Sequence, residues 1–178
     1  MTLISAKNVK LMKRIVFLKV CCLLVVPVMI SAMEDNYDKI FDQVKKQVPV
    51  IEGVELPTAK EIHAVEPLHP SHRRFLETLG NRDFEGYEPL RAQGGENSLL
   101  AQKKEDAHRS GVGGEWVPFC VQEGDLWFIR VDTGEARIFI RSVEKEEYIY
   151  TLDEGEDALP SLLHLMQTLW SDLNLEIG

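Results

Sequence analysis

Three histidines lie close together in the sequence and raise the question of a metal site. They are His63, His69 and His72. Two metal ligands on one helix face need a spacing of three or four residues, with further ligands supplied from elsewhere. His69 and His72 straddle a predicted helix start, and no cysteine or carboxylate motif joins them. The sequence therefore predicts ordinary polar helix residues, with no metal and no cofactor.

Nucleophilic catalysis needs a serine, threonine or cysteine that a neighbouring base activates. The chain has no G-x-S-x-G motif, and Cys120 lies in an apolar stretch that favours a buried, inert thiol. The glycine-rich run at 109–114 leads into a predicted strand and lacks a Lys-Ser or Lys-Thr pair, which favours a flexible linker over a phosphate-binding loop. No catalytic residue is assigned, and the chain is interpreted as a non-enzyme.

Acidic residues outnumber basic ones by 29 to 20, which gives a formal net charge of −9. Such a surface repels nucleic-acid phosphate and either favours a basic protein partner or only keeps the protein soluble. Acidic residues gather near the last predicted hairpin, either as a solvated edge that blocks unwanted pairing or as a docking patch. This acidic group consists of Glu144, Glu146, Glu147, Asp153, Glu154, Glu156 and Asp157. Trp116 and Trp127 are further candidate contacts, with a core position as the alternative for both.

Residues 1–32 differ in composition from the rest of the chain. Five basic residues and no acidic residue occur there, and an apolar run at 20–30 precedes Ser31 and Ala32. This pattern predicts a cleaved signal peptide and a periplasmic or secreted protein that meets the membrane only transiently. A retained membrane anchor and a buried helix are the alternatives, and the start is either Met1 or Met12. Without this segment, 15 basic residues face 29 acidic ones, a net charge of −14.

Hydrophobic periodicity predicts an α+β domain. Helices are expected over 35–48, 58–66, 70–79 and 159–173, with a short helix that Asn97 or Ser98 caps. Strands are expected at 116–121, 126–131, 137–143 and 148–152, and the short turns between them favour antiparallel pairing. The run at 126–129 is apolar on both faces, which predicts a central strand. The expected fold is an antiparallel sheet of about four to six strands packed against N-terminal and C-terminal helices.

Several motifs follow one another in an order that resembles a known family. They are EIHAVEPLHPSHRRFLETLGN at 61–81, GYEPL at 86–90, GEWVPF at 114–119, Gly124-Asp125, and the turn residues Asp132 and Gly134. From Glu61 onward, this order resembles the SMI1/KNR4 family, also called the SUKH superfamily. The usual Leu-Pro pair of that family is split here by His69.

The resemblance implies a protein-binding scaffold without catalytic residues, and many bacterial members look like immunity proteins. Together with the composition and periodicity of the first 57 residues, it divides the chain into a signal peptide at 1–32, an amphipathic helix and connector at 33–57, and an SMI1/KNR4-like domain at 58–178. The expected function is non-enzymatic binding and neutralisation of a toxin or similar protein. The alternatives are an exported effector or adaptor that docks through the helix at 35–48, an envelope regulator, and a cryptic envelope hydrolase.

Overall fold

The computed structural model describes residues 37–94, 98–106, 112–122, 125–144, 147–152, 158–173 and 175. The chain divides into two compact units, Met1–Lys39 and Ile40–Gly178. Of the first unit only residues 37–39 are described, and they are helical. No helix in the described ranges is long and apolar enough to span a bilayer. The segment 1–32, for which a signal peptide is predicted, lies outside the described residues.

The first helix, α1, covers residues 37–47 and ends just before Pro49, as the sequence predicts. Within the second unit, Ile40, Phe41 and Val44 of this helix are fully buried. The ring of Phe41 meets that of Phe75 edge-on, with centroids 6.1 Å apart. The apolar face of residues 40–48 is therefore part of the core of the second unit and is not available to a partner. The break between the two units falls after Lys39. The boundary after Pro57 stays a prediction from the sequence.

Two short helices follow, α2 at Ala59–Ala64 and α3 at Pro70–Leu79. The capping box predicted for α2 is present: the Glu61 amide donates to Thr58 Oγ1 over 3.3 Å, and the Thr58 amide donates to Glu61 Oε2 over 2.7 Å. The Thr58 amide and, over 2.8 Å, the Thr58 hydroxyl both donate to the Glu61 carboxylate and thereby lower the pKa of Glu61. A further helix, α4, covers Leu99–Asp106, and Ser98 Oγ accepts from the Ala101 amide over 3.3 Å.

Five antiparallel strands form one sheet in the order β1-β2-β3-β4-β5, which confirms the predicted α+β fold. They are β1 at Glu88–Pro89, β2 at Trp116–Gln122, β3 at Asp125–Arg130, β4 at Ala136–Glu144 and β5 at Glu147–Leu152. The four residues 126–129 of β3 are all buried. This strand is central in the sheet, as its two-sided apolar pattern predicts.

The two faces of β3 belong to two clusters of buried side chains. Ile129 is paired with Val117, which packs in a core cluster with Ile62 of α2 and Leu76 of α3. Leu126, Phe128 and Phe139 form a smaller cluster. Adjacent residues of a strand point to opposite faces, whereas residues paired across two strands share a face. The helices α2 and α3 therefore cover one face of the sheet, and the smaller cluster lies on the other.

The C-terminal segment differs from the single helix predicted over 159–173. The helix α5 covers Leu162–Leu169, and a 3-10 turn follows at Ser171–Leu173. Leu159 is extended instead and exchanges two backbone hydrogen bonds with Ala136 at the start of β4, over 2.8 and 3.0 Å. Satisfying these backbone groups stabilises a strand-like start that apolar periodicity alone does not reveal. Leu162, Leu163, Leu165 and Met166 bury the apolar face of α5.

Candidate functional site

The three clustered histidines have different environments. His63 is exposed and its Nδ1 lies 2.8 Å from Glu66 Oε2. His72 is fully buried, and its ring meets that of Phe119 edge-on at 5.3 Å. His69 is partly buried at the start of α3. Within the described ranges, no group of three or more histidine, cysteine or acidic residues is placed to hold a metal ion.

Cys120 lies in β2 and is fully buried, opposite Trp127 of β3. Burial disfavours the thiolate and raises the pKa of this thiol well above its ordinary value. The inert thiol that the sequence predicts is therefore confirmed as a buried core residue. A thiol in this state is a poor nucleophile.

His69, Ser71 and Asp132 combine the three residue types of a nucleophilic triad, but their geometry is that of a helix cap. Nδ1 of His69 accepts from the Ser71 amide over 3.3 Å and lies 2.8 Å from Ser71 Oγ. Ser71 is only 4% exposed, so its hydroxyl is largely shielded from solvent. His69 is the N-cap of α3, a position that requires a side-chain acceptor.

Gly134 in the turn between β3 and β4 supports the ring of His69. Its φ is +74°, and a Cβ at this position would lie 2.6 Å from His69 Cε1. We expect Gly134→Ala to lower the free energy of unfolding by about 2–3 kcal/mol, because the left-handed conformation is strained for alanine and the ring must leave its cap. The matched control is Gly53→Ala, since Gly53 has a φ of +75° and nothing within 4 Å of the added Cβ. Equal losses for the two variants in urea denaturation would refute the contact with His69.

The stability of the domain should fall at mildly acidic pH because of His69. Its pKa is lowered from 6.5, mainly because burial disfavours the charged ring, while the nearby Asp132 carboxylate partly opposes this. The unfolded chain therefore binds the proton more readily, so stability is full above about pH 6.5 and is lost as the pH falls below it. His69→Asn retains an N-cap acceptor without titrating. Urea denaturation at pH 7.5 and 5.0 should show a larger loss for the wild type than for this variant; equal losses would remove His69 as the cause.

The two candidate tryptophans are in different positions. Trp127 is 6% exposed and belongs to the core, so little of its ring is available to a partner. Trp116 is only partly buried and meets the ring of Phe139 at 5.6 Å. The Arg130 guanidinium lies 5.9 Å from the centre of the Trp116 ring, and its Nε is 2.9 Å from Asp132 Oδ1. The aromatic ring of Trp116 thus lies in one group with the Arg130–Asp132 ion pair.

The predicted acidic group falls largely outside the described residues. This holds for Glu146, Asp153, Glu154, Glu156 and Asp157. The backbone of the other two members is described: Glu144 is the last residue of β4, and Glu147, the first residue of β5, is its partner in the ladder. The structure therefore brings these two acidic positions together at one end of the last hairpin.

The strands β4 and β5 extend beyond the rest of the sheet. The ladder between β3 and β4 ends at Phe139, whereas the ladder between β4 and β5 continues to Glu144. No other described strand pairs with residues 140–144, which at the rise of a strand span about 16 Å. We call residues 139–144 and 147–152 the β4–β5 ribbon. An isolated two-stranded ribbon is only marginally stable in water, so this segment gains from further contacts.

The base of the β4–β5 ribbon exposes apolar side chains on both of its faces. Ile140 is 41% exposed and Leu152 is 37% exposed. Leu152 pairs with Phe139 and therefore shares its face, while the neighbouring Ile140 points to the other face. Neither of these two residues is among the site residues predicted from the sequence. Their sequence carries no local signal of exposure, because an apolar residue in a strand predicts burial.

The comparisons with known proteins bear on the fold alone. No protein-family model and no curated protein matches the chain. Among solved structures, the chain is similar to a protein from Pseudomonas syringae pv. tomato, with 15% identity and a TM-score of 0.57. The similarity covers 76% of this chain and 98% of the other. At this identity, the two proteins share an α+β fold, and no family is assigned to the chain from it.

Proposed function

We propose that this chain is a non-enzymatic protein-binding domain whose partner is a basic protein. The observation that supports this most directly is the β4–β5 ribbon, which leaves the sheet and exposes Ile140 and Leu152 on its two faces. A two-stranded projection of this kind is only marginally stable alone and gains from contact with another protein. The net charge of −9, or −14 without residues 1–32, favours a positively charged partner.

We propose that the chain acts as an immunity-type protein, which binds and neutralises a toxin or similar protein. We also propose that the chain itself is periplasmic or secreted. The SMI1/KNR4 resemblance supports neutralisation, and the composition of residues 1–32 supports export. The side-chain chemistry is compatible with a binding role, because Cys120 is a buried thiol and Ser71 serves the cap of α3. The adaptor alternative that docks through the helix at 35–48 is weakened, since Ile40, Phe41 and Val44 are already buried in the domain.

A capture experiment in the native host tests the proposal. The full chain with a C-terminal affinity tag is expressed there, and proteins retained at 50 and 500 mM salt are identified by mass spectrometry. We expect one basic protein in stoichiometric amount, held less tightly at high salt because ions screen the attraction. Co-expression should then protect cells from the toxicity of that protein. A stoichiometric partner that is acidic, or a captured protein whose activity is unaffected, would contradict the proposal.

A further inference from the structure

The outer edge of β5 differs from the opposite edge of the sheet in the length and composition of its strand. β1 has two residues, one of them Pro89, which lacks an amide proton. β5 has six residues without proline, and its register with β4 shows no bulge. Among the described strands, none lies on the other side of β5. Alternate residues of an edge strand direct their N–H and C=O groups away from the sheet, so β5 offers a template for one more strand.

We infer that the β5 edge binds its partner by strand addition and that the occupant is an extended segment carrying lysine or arginine. This inference rests on the proposed function and names how the partner is held. Main-chain hydrogen bonds to β5 would supply affinity, and side chains on the two faces of the added strand would supply specificity. A third strand also converts the marginal two-stranded ribbon into a more stable unit.

Charge selects the occupant. The register places Glu144 opposite Glu147 at the end of the ribbon. Acidic residues in opposite positions of a ladder destabilise it, and a cationic side chain on an added strand relieves this cost. A second copy of the chain would instead bring the same net negative charge. A basic segment of another protein is therefore favoured over self-association.

Apolar contacts flank the same edge. Leu152 and Thr151 are exposed residues of β5 itself, and Ile140 is exposed on the neighbouring strand, directly opposite Thr151. An added strand would place alternate side chains over Leu152 on one face and near Ile140 on the other. The register puts Glu144 and Glu147 on the face of Ile140, whereas Leu152 lies on the other face. The occupant is therefore expected to alternate basic residues on the first face with valine, isoleucine or threonine on the second.

A peptide titration on the full chain tests the inference with defined probes. The probe is a nine-residue peptide of alternating lysine and valine, acetylated and amidated at its ends. Two control peptides replace its lysines by glutamate or its central valine by proline. We expect the lysine peptide alone to bind, and we expect amide hydrogen exchange of alternate β5 residues to slow when it does. If β5 exchange is unchanged at saturation, or if the proline peptide binds as well, strand addition is refuted.

Variants of the ribbon separate this inference from the proposed function. Leu152→Lys and Ile140→Lys should each weaken binding of the lysine peptide at least tenfold, whereas Val50→Lys should leave it unchanged. Val50 is the matched control because it is exposed, apolar and outside the ribbon. A protein partner that is captured equally well by all three variants would sink strand addition and leave protein binding standing. A captured partner whose activity is unaffected would refute the proposed function. Slower amide hydrogen exchange in β5 on peptide binding could still be measured in that case and would test strand addition separately.

Self-association is a distinct outcome of the same design. Sedimentation equilibrium of the full chain should give a monomer, because the net negative charge of the chain opposes pairing with a second copy. A dimer that dissociates on Leu152→Lys would assign the β5 edge to a second copy and overturn the basic occupant.

Discussion

Removal of residues 1–57 is expected to abolish cooperative folding, although the sequence resemblance begins only at Glu61. Ile40, Phe41 and Val44 of α1 are fully buried, and Phe41 contacts the ring of Phe75. At about 1.5–3 kcal/mol for each buried large side chain, these three residues contribute roughly 5–9 kcal/mol. Domains of this size have a free energy of unfolding of about 5–15 kcal/mol, so the loss is comparable with the whole. Circular dichroism during urea denaturation should show no cooperative transition.

The matched control for this truncation is removal of residues 1–32 alone, which leaves α1 in place and should retain a cooperative transition. Phe41→Ala in the longer chain adds a graded test, with an expected loss of about 3–5 kcal/mol. If the chain that begins at Thr58 unfolds with the midpoint of the longer one, α1 is not part of the core. That result would support the alternative in which this helix is a separate docking arm.

Phe75→Ala is expected to cost about 3–5 kcal/mol, the range for truncating a buried phenylalanine. The Phe75 ring is fully buried and contacts the rings of Phe41, Phe84 and Phe119 at centroid distances of 6.1, 5.7 and 5.0 Å. It thus joins α1, α3 and β2. Alanine would leave a cavity beside three aromatic rings. These rings would lose van der Waals contacts, in addition to the loss of apolar burial. Tryptophan fluorescence during urea denaturation measures the loss.

Phe75→Leu is the control for this prediction, because it keeps an apolar side chain of similar length and should cost clearly less than alanine. The wild type is expected to be the most stable, followed by the leucine variant and then the alanine variant. The slope of the free energy of unfolding against urea concentration should be the same for all three. A loss below about 1 kcal/mol for alanine would mean that the surrounding rings collapse onto the site. The aromatic group would then be adaptable instead of tightly packed.

Elements with strong local signals could be predicted from the sequence. The capping box of Thr58 and Glu61, the bounds of α3 and the strands from β2 to β5 depend on neighbouring residues, and local rules suffice for them. Leu159 shows where such rules fail. Its side chain fits the apolar periodicity of a helix, but two backbone hydrogen bonds to Ala136 hold it extended. Tertiary pairing of this kind overrides local propensity and leaves no trace in periodicity.

The candidate site was predictable only in part. The sequence indicated the last hairpin through its acidic residues, and the structure places Glu144 and Glu147 as partners there. It did not indicate Ile140 and Leu152, because an apolar residue in a strand predicts burial until the lengths of the neighbouring ladders are known. Where the ladder between β3 and β4 ends is a long-range property, and it decides which strand residues are exposed.

The strand order has a consequence for how the chain folds. β2, β3, β4 and β5 each pair with their immediate neighbours in the sequence, so closing each hairpin orders only a short loop. Packing Phe41 of α1 on Phe75 and Phe75 on Phe119 joins segments that are much farther apart along the chain. Bringing segments together that are far apart in the sequence costs more conformational entropy. Strands β2 to β5 are therefore expected to be paired in the folding transition state before α1 docks. Substitutions in α1 should then mainly accelerate unfolding, so the lifetime of the folded protein depends on its N-terminal helix.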